Sequence, residues 1–291
     1  MTNQRGFTLI ELAIVLVIIT ILIGGLAVPL SAQIQARRIA ETNRTLDEAR
    51  EAIIGYAMSN TIQKPCDCIY DNPSGVLKSS SDCPGTLCPQ TGIPDSAITL
   101  HYSRHYLPCP DLIQADPEPG VDNDGVSGLT DLNNGAEDRY ISGSNQGACA
   151  ASSGNLPWVT LGTAAQDAWG NRLRYGVTAT LAKKSEGLPG TGGGDLQVCS
   201  ASGCAAVNVA SNVPAVLVSY GPNGWGARNI NGNTLATPTS ADELENTNSN
   251  LNYVSRTPSK AGDAAGEFDD LVRWISADQL RGRICPAGGC P

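Results

Sequence analysis

The most demanding chemistry in this chain belongs to Glu11, which heads the run Leu12–Ala36, where no other charged residue occurs. Leu12–Leu30 is almost wholly apolar. As a helix those positions rise about 28 Å, enough to cross a hydrocarbon core. A carboxylate at such depth is costly unless it meets a cation. The run offers no Lys or Arg, so the available partner is an α-amino group, freed by cutting the chain between Gly6 and Phe7. An ordinary signal peptide would have a shorter apolar core with its basic residues before it and a small-residue cleavage site after it. A plain membrane anchor explains the length of the run but neither Glu11 nor the Gly6-Phe7 junction.

A second chemistry is oxygen-based cation binding. Between Asp111 and Asp138 lie eight acidic residues and no basic one. Within this stretch Asp122-Asn123-Asp124-Gly125 resembles the middle of a calcium loop, although Gly120 stands where its first Asp should be and Asp131 replaces the closing Glu. A solvated acidic loop explains the same residues. Catalytic patterns are missing: there is no GxSxG, no HExxH and no phosphate-binding loop, since the glycines at 190–194 have no Lys after them. His101 and His105, the two histidines, have the i,i+4 spacing of a helical metal pair. The aromatic residues around them and Pro108 favour a strand or loop.

The ten cysteines all follow the apolar run, which indicates an oxidising compartment and therefore a C-terminal region outside the cytoplasm. Spacing pairs Cys199 with Cys204 and Cys285 with Cys290 around short loops. Cys109 with Cys149 would close the acidic loop. Cys66 and Cys68 are too close to bridge each other, so each is expected to pair with Cys83 or Cys88. Zinc is the rival use, but these spacings are not those of zinc fingers.

The elements that must position these residues follow from periodicity. Residues 33–58 contain no Pro, and no Gly before Gly55; Ile34, Ile39, Leu46, Ile53 and Tyr56 recur at helical intervals among charged residues. With the apolar run this makes one spine helix from Phe7 to Met58, with Gly24, Gly25 and Pro29 as its kink or melting point. The remainder, 59–291, has 14 Lys and Arg against 23 Asp and Glu and so holds the whole net charge of −9. Bulk charge of that sign argues against nucleic-acid binding. Strands are expected at Arg172–Leu181, Asp195–Ser200 and Ala215–Tyr220, and Phe268–Ile275 fits a short helix or a strand. Trp169 reads as core. The fold class is α+β: a long helical spine packed on an antiparallel sheet head with disulfide-stapled loops.

Gly6-Phe7-Thr8-Leu9-Ile10-Glu11, following a short leader with the basic Arg5, resembles the signature of the type IV pilin and type II secretion pseudopilin superfamily. The resemblance implies a cleaved leader (1–6), a transmembrane and assembly helix (7–30), an amphipathic half-helix (31–58) and an extracytoplasmic head (59–291). It further implies that a prepilin peptidase cuts after Gly6 and N-methylates Phe7, and that Glu11 pairs with the Phe7 ammonium of a neighbouring subunit. The partners it implies are other pilin or pseudopilin subunits, an assembly platform with its ATPase, and the inner membrane. Family pilins carry a proline near the depth of Pro29, one place earlier.

Two stretches of the head extend the likeness over 156–275. Asp167-Ala168-Trp169-Gly170-Asn171 is similar to the Asp-Pro-Trp-Gly-Asn turn of major pseudopilins, and Ser219-Tyr220-Gly221-Pro222-Asn223-Gly224 to their Ser-x-Gly-Ala-Asp-Gly turn. In those proteins the loop after the second turn, closed by a later Asp, holds calcium. Carried over by position, Asn223 stands where the family has Asp, and Asp270 or Asp269 matches the closing Asp; losing a carboxylate to an amide lowers cation affinity. Residues 61–106 form a Cys-rich insertion that short pseudopilins lack, which points to a minor or specialised subunit. The implied function is structural and non-enzymatic, in a pilus or in a secretion pseudopilus. An adhesive or DNA-uptake subunit at the filament tip is the alternative, and a stalked enzyme would need catalytic residues that the sequence does not offer.

Overall fold

A single helix, α1 (Leu9–Ser59), forms the spine; its 51 residues give a length of about 76 Å. The computed structural model describes residues 8–67, 69–71, 76–78, 99–112, 133–140, 145, 147–184, 187–188, 193–205 and 209–284, with the side chains of all but 23–29, 61–67, 69–71, 76–78 and 99–104. Helix α1 continues unbroken through Gly24, Gly25 and Pro29, so the melting expected at those residues does not occur. Its end is fixed by Asn60, whose backbone N–H and side-chain Nδ2 both donate to the Tyr56 carbonyl.

The two halves of α1 have opposite surroundings. Leu9, Ile10, Leu12 and Ile14 through Ile19 are all exposed, Leu9 at 88% and Ile10 at 69%. Leu46, Ala49, Ile53, Ile54 and Ala57 are fully buried. Among the described residues no helix is long and apolar enough to cross a membrane; the side chains at 23–29, in the middle of the apolar run, are not among them.

The chain then forms β1 (Thr61–Asp67), β2 (Ile69–Asp71), β3 (Val76–Lys78) and β4 (Thr99–His105). Strands β1 and β4 pair antiparallel, as do β2 and β3. His101 and His105 thus lie on a strand, where i,i+4 residues are too far apart to share a metal. His105 Nδ1 is instead 2.7 Å from the Ala57 carbonyl, to which it donates.

The head follows with β5 (Ser153–Asn155), α2 (Trp158–Leu161), β6 (Arg174–Val177), α3 (Ala179–Ala182), β7 (Leu196–Cys199), β8 (Ala210–Val213), β9 (Ala215–Ser219), α4 (Ala241–Thr247), β10 (Asn252–Val254), β11 (Leu271–Ile275) and α5 (Ala277–Ile284). The main sheet is antiparallel in the order β11-β9-β6-β5, and a smaller one runs β10-β7-β8. Alternation along β9 divides the core. Ala215 and Leu217 face α1 with Tyr175, Val177 and Ile275, while Val216 and Val218 face the smaller sheet with Leu196, Val198, Tyr253 and Val272. A strand buried on both faces reads as the continuous apolar run seen in the sequence. Gly176 is part of this packing, because a Cβ there would lie 1.9 Å from the Tyr253 hydroxyl.

Two expectations change in detail. The strand expected to reach Leu181 stops at Val177, which pairs with Ala215. The next residue along β9's side of the ladder is Pro214, which has no N–H to continue it; Thr178 donates to the Pro214 carbonyl and α3 begins. Trp169 is half-buried rather than core. The segment that fits either helix or strand becomes β11 from Leu271 onward.

A buried polar knot fastens the head to the spine. Tyr56 of α1 donates its hydroxyl to Glu137 Oε1 at 2.8 Å, and Glu137 Oε2 accepts from the Cys109 N–H at 2.8 Å and from Arg139 at 2.9 Å. Arg139 also donates to the carbonyls of Gly147, Ala182 and Leu107. The Cys109–Cys149 disulfide closes the same region, and a second disulfide joins Cys199 to Cys204. The pairings expected for Cys66, Cys68, Cys83 and Cys88, and that of Cys285 with Cys290, lie outside the described residues, as do the candidate ligands Asp122 and Asp124. Outside the knot, Arg273 and Arg283 of the head reach Asp47 and Glu51 of α1.

Candidate functional site

At the start of α1, Thr8 is the N-cap and Glu11 the third helical residue. The Thr8 N–H donates to Glu11 Oε2 at 2.8 Å, the Thr8 hydroxyl donates to the same oxygen at 2.8 Å, and the Thr8 oxygen faces the Glu11 N–H at 3.4 Å. This capping box satisfies donors that a helix start leaves free. It also holds the carboxylate beside the backbone of residue 8; Gly6 and Phe7 lie outside the described residues. Glu11 is exposed, so nothing within the described chain shields it.

A second cluster forms where the turn after β9 meets the residues leading into β11. Pairing of β11 with β9 sets Leu271 opposite Ser219, which brings Asp269 and Asp270 alongside the turn at 220–224. Gly221 allows that approach: its φ is +59°, and a Cβ would lie 2.3 Å from the Asp269 carbonyl oxygen. Helix α4 adds Glu243, and carboxylate oxygens of Glu243, Asp269 and Asp270 lie within 4.8 Å of one another.

Asn223 organises this cluster through its donors. Its backbone N–H donates to Asp269 Oδ2 at 3.1 Å and its side-chain Nδ2 to Glu243 Oε1 at 3.1 Å; the Asp269 N–H also reaches Glu243 Oε1, at 3.1 Å. Asn223 Oδ1 accepts from the Trp225 N–H, so this amide oxygen is occupied within its own turn. Asn246, fully buried on α4, donates to Asp270 Oδ2 at 2.8 Å.

One oxygen of each acid is left over. Glu243 Oε2, Asp269 Oδ1 and Asp270 Oδ1 are buried without a partner, and the residues Glu243 and Asp270 are only 1% and 4% exposed. Burial pushes the Asp269 carboxyl up to about 7, with Glu243 and Glu267 adding to the effect. Burial likewise raises Asp270 well above the carboxylate range, and Glu243 above its ordinary value. Buried partnerless oxygens on three clustered acids are costly. A hard divalent cation such as calcium fits this all-oxygen set and would satisfy all three. Sequence reasoning placed Asn223, Asp269 and Asp270 here and missed Glu243, whose only signal is its place in a short acidic helix.

The Asp167 turn is structural. Asp167 Oδ1 accepts from the N–H groups of Trp169 and Asn171, and Oδ2 accepts from the Ser219 hydroxyl at 2.7 Å, so this acid ties one turn to the end of β9.

Among known proteins, the model of the prokaryotic N-terminal methylation motif matches residues 1–27. No curated protein and no solved structure matches the chain. The motif covers the Gly6-Phe7 junction, the Thr8–Glu11 capping box and the start of the exposed apolar helix. It implies processing by a prepilin peptidase and assembly with other pilin subunits. The N-terminal segment of this chain therefore carries the signature of a type IV pilin or pseudopilin subunit.

Proposed function

We propose that this protein is a non-enzymatic filament subunit, stored in the inner membrane with its head in the periplasm and assembled into a type IV pilus or a secretion pseudopilus. The observation that carries the reading is the division of α1, exposed and apolar at Leu9–Leu22 but packed into the head from Leu46 onward. Such a stripe is stable only against lipid or against other helices. The disulfides support an oxidising location for the head. In this reading a prepilin peptidase cuts between Gly6 and Phe7 and methylates Phe7. A platform protein with its ATPase then moves the subunit from lipid into a helical bundle. There Glu11 exchanges the Thr8 N–H for the Phe7 ammonium of a neighbour, so that each buried charge is neutralised. The extra chain at 61–106 supports a specialised, low-copy place in the filament.

Two variants separate processing from assembly. Gly6→Val should leave an unshifted precursor band. Glu11→Val should be cleaved as wild type yet incorporate into sheared filaments at a tenth of the wild-type level or less, as judged by immunoblotting. Wild-type incorporation of Glu11→Val would rule out the pairing.

We further infer that Glu243, Asp269 and Asp270 hold a calcium ion that fastens α4 to the sheet. The observation behind this is the set of three buried, partnerless carboxylate oxygens.

A further inference from the structure

Arg256 lies outside the carboxylate cluster but touches both segments that build it. Its Nε donates to Asp242 Oδ2 at 2.6 Å, and Asp242 is the residue before Glu243 on α4. Its guanidinium carbon stands 4.7 Å from the ring centre of Phe268, the residue before Asp269. The rest of the fork is used on the intervening loop: Nη1 donates to Ser259 Oγ at 2.6 Å and to the Thr257 carbonyl at 3.2 Å, and Nη2 to the carbonyls of Ala265 and Gly266 at 2.9 and 3.2 Å. Both side chains of the ion pair are largely buried, Arg256 at 13% and Asp242 at 11% exposed. The other Asp242 oxygen, Oδ1, accepts from the Ser202 N–H at 2.8 Å, inside the loop closed by Cys199–Cys204. Glu243 therefore reaches the cluster from a helix that Arg256 and the disulfide loop hold in place, while Asp269 and Asp270 reach it from a segment stacked under the same guanidinium.

We propose that Arg256, acting through Asp242 and Phe268, is the positioning residue that sets the spacing of Glu243 against Asp269 and Asp270 and so fixes the cation affinity of the site. The proposal rests on reading those three acids as a calcium site. That reading has support beyond their clustering: Asp270 and Glu243 are 4% and 1% exposed, and each keeps a buried oxygen with no partner. Positioning and simple charge predict opposite signs. Arg256 is a positive charge near the site, so by electrostatics alone its removal should tighten cation binding. If it acts by holding the ligands in register, its removal loosens the site, and partners of this kind typically contribute 10–100-fold in affinity. Lysine would keep the charge but not the planar fork that serves five acceptors.

The test is calcium titration of the full chain in detergent, by calorimetry and by thermal melting with and without calcium. Wild type should bind, with a calcium-dependent rise in melting temperature. Arg256→Met and Arg256→Lys should each weaken binding by about tenfold or more and shrink that rise, whereas a merely structural role would lower both melting temperatures and leave the rise intact. Asp242→Asn should weaken binding similarly, and the Asp242→Asn, Arg256→Met double variant should be no worse than the weaker single variant. If Arg256→Met does not fold, Arg256→Lys decides, since it keeps the positive charge and weaker binding there reports the lost fork. Unchanged or tighter binding in these variants overturns the proposal while the calcium site stands. No binding by wild type, matched by Glu243→Gln, overturns the site and the proposal together.

Discussion

Arg139→Met should destabilise the protein by about 3–5 kcal/mol, the loss expected when one member of a buried ion pair is removed. Arg139 and Glu137 side chains are 2% and 4% exposed, with 2.9 Å between their charged atoms. Methionine fills much of the same volume but donates nothing, so the carbonyls of Leu107, Gly147 and Ala182 lose a donor and Glu137 keeps a buried charge. Tyr56 raises the stakes. Burial and the Glu137 carboxylate push its hydroxyl above the ordinary tyrosine value, so it stays protonated and continues to donate to Glu137, the link between spine and head. Urea unfolding of wild type, Arg139→Met, Glu137→Gln and the double variant measures this. The double variant should lose less than the sum of the two single losses, because the second change removes the stranded charge. A loss below about 1 kcal/mol for Arg139→Met would show that the knot does not hold the head to the helix.

A second large effect concerns pH. Asp111 is fully buried, its Oδ1 has no partner, and Asn155 Nδ2 approaches Oδ2 at 3.3 Å. Burial, opposed in part by Asn155 and reinforced by nearby Asp138, pushes its carboxyl from 3.8 up to about 7. Because the folded-state value is raised, the contribution is complete below the unfolded value near pH 4 and is lost as pH rises through about 7. The loss over that window is on the order of 4 kcal/mol, about 1.36 kcal/mol for each of roughly three pH units. Asp111→Asn keeps the shape of the neutral acid and cannot ionise. It should be the more stable protein at pH 8, while near pH 4 the two should converge. The other buried acids titrate in both proteins, so the quantity to follow is the difference between the two stability curves from pH 4 to 8. A difference that stays flat across this window would mean that Asp111 is ionised throughout.

Much of the molecule was legible locally. The spine follows from a long segment with few helix breakers; its start at Leu9 rather than Phe7, capped by Thr8 and Glu11, came from the structure. Pro29, read as a point of weakness, did not end the helix. The strand at Ala215–Ser219 was visible because a strand covered on both faces must be apolar throughout. Cys109–Cys149 and Cys199–Cys204 form between cysteines that neighbouring loops deliver to each other. The short helices α4 and α5 were not legible, since seven or eight residues hold too few turns for a periodic signal.

The sequence by itself determined where charge, apolar surface and cysteines fall along the chain: a lone acid ahead of an apolar helix, then an acidic, disulfide-bearing head. Only the tertiary structure decided which distant groups meet. Leu271–Ile275 became a strand because β9 offered an unfilled edge, and that register carried Asp269 and Asp270 to the turn at Asn223. Glu243 and Arg256 joined them from the two sides of β10, and Tyr56 found Glu137 across 81 positions. Periodicity reports which face of an element is buried, but the partner of a buried polar group is fixed by strand register and helix placement, which no local pattern encodes.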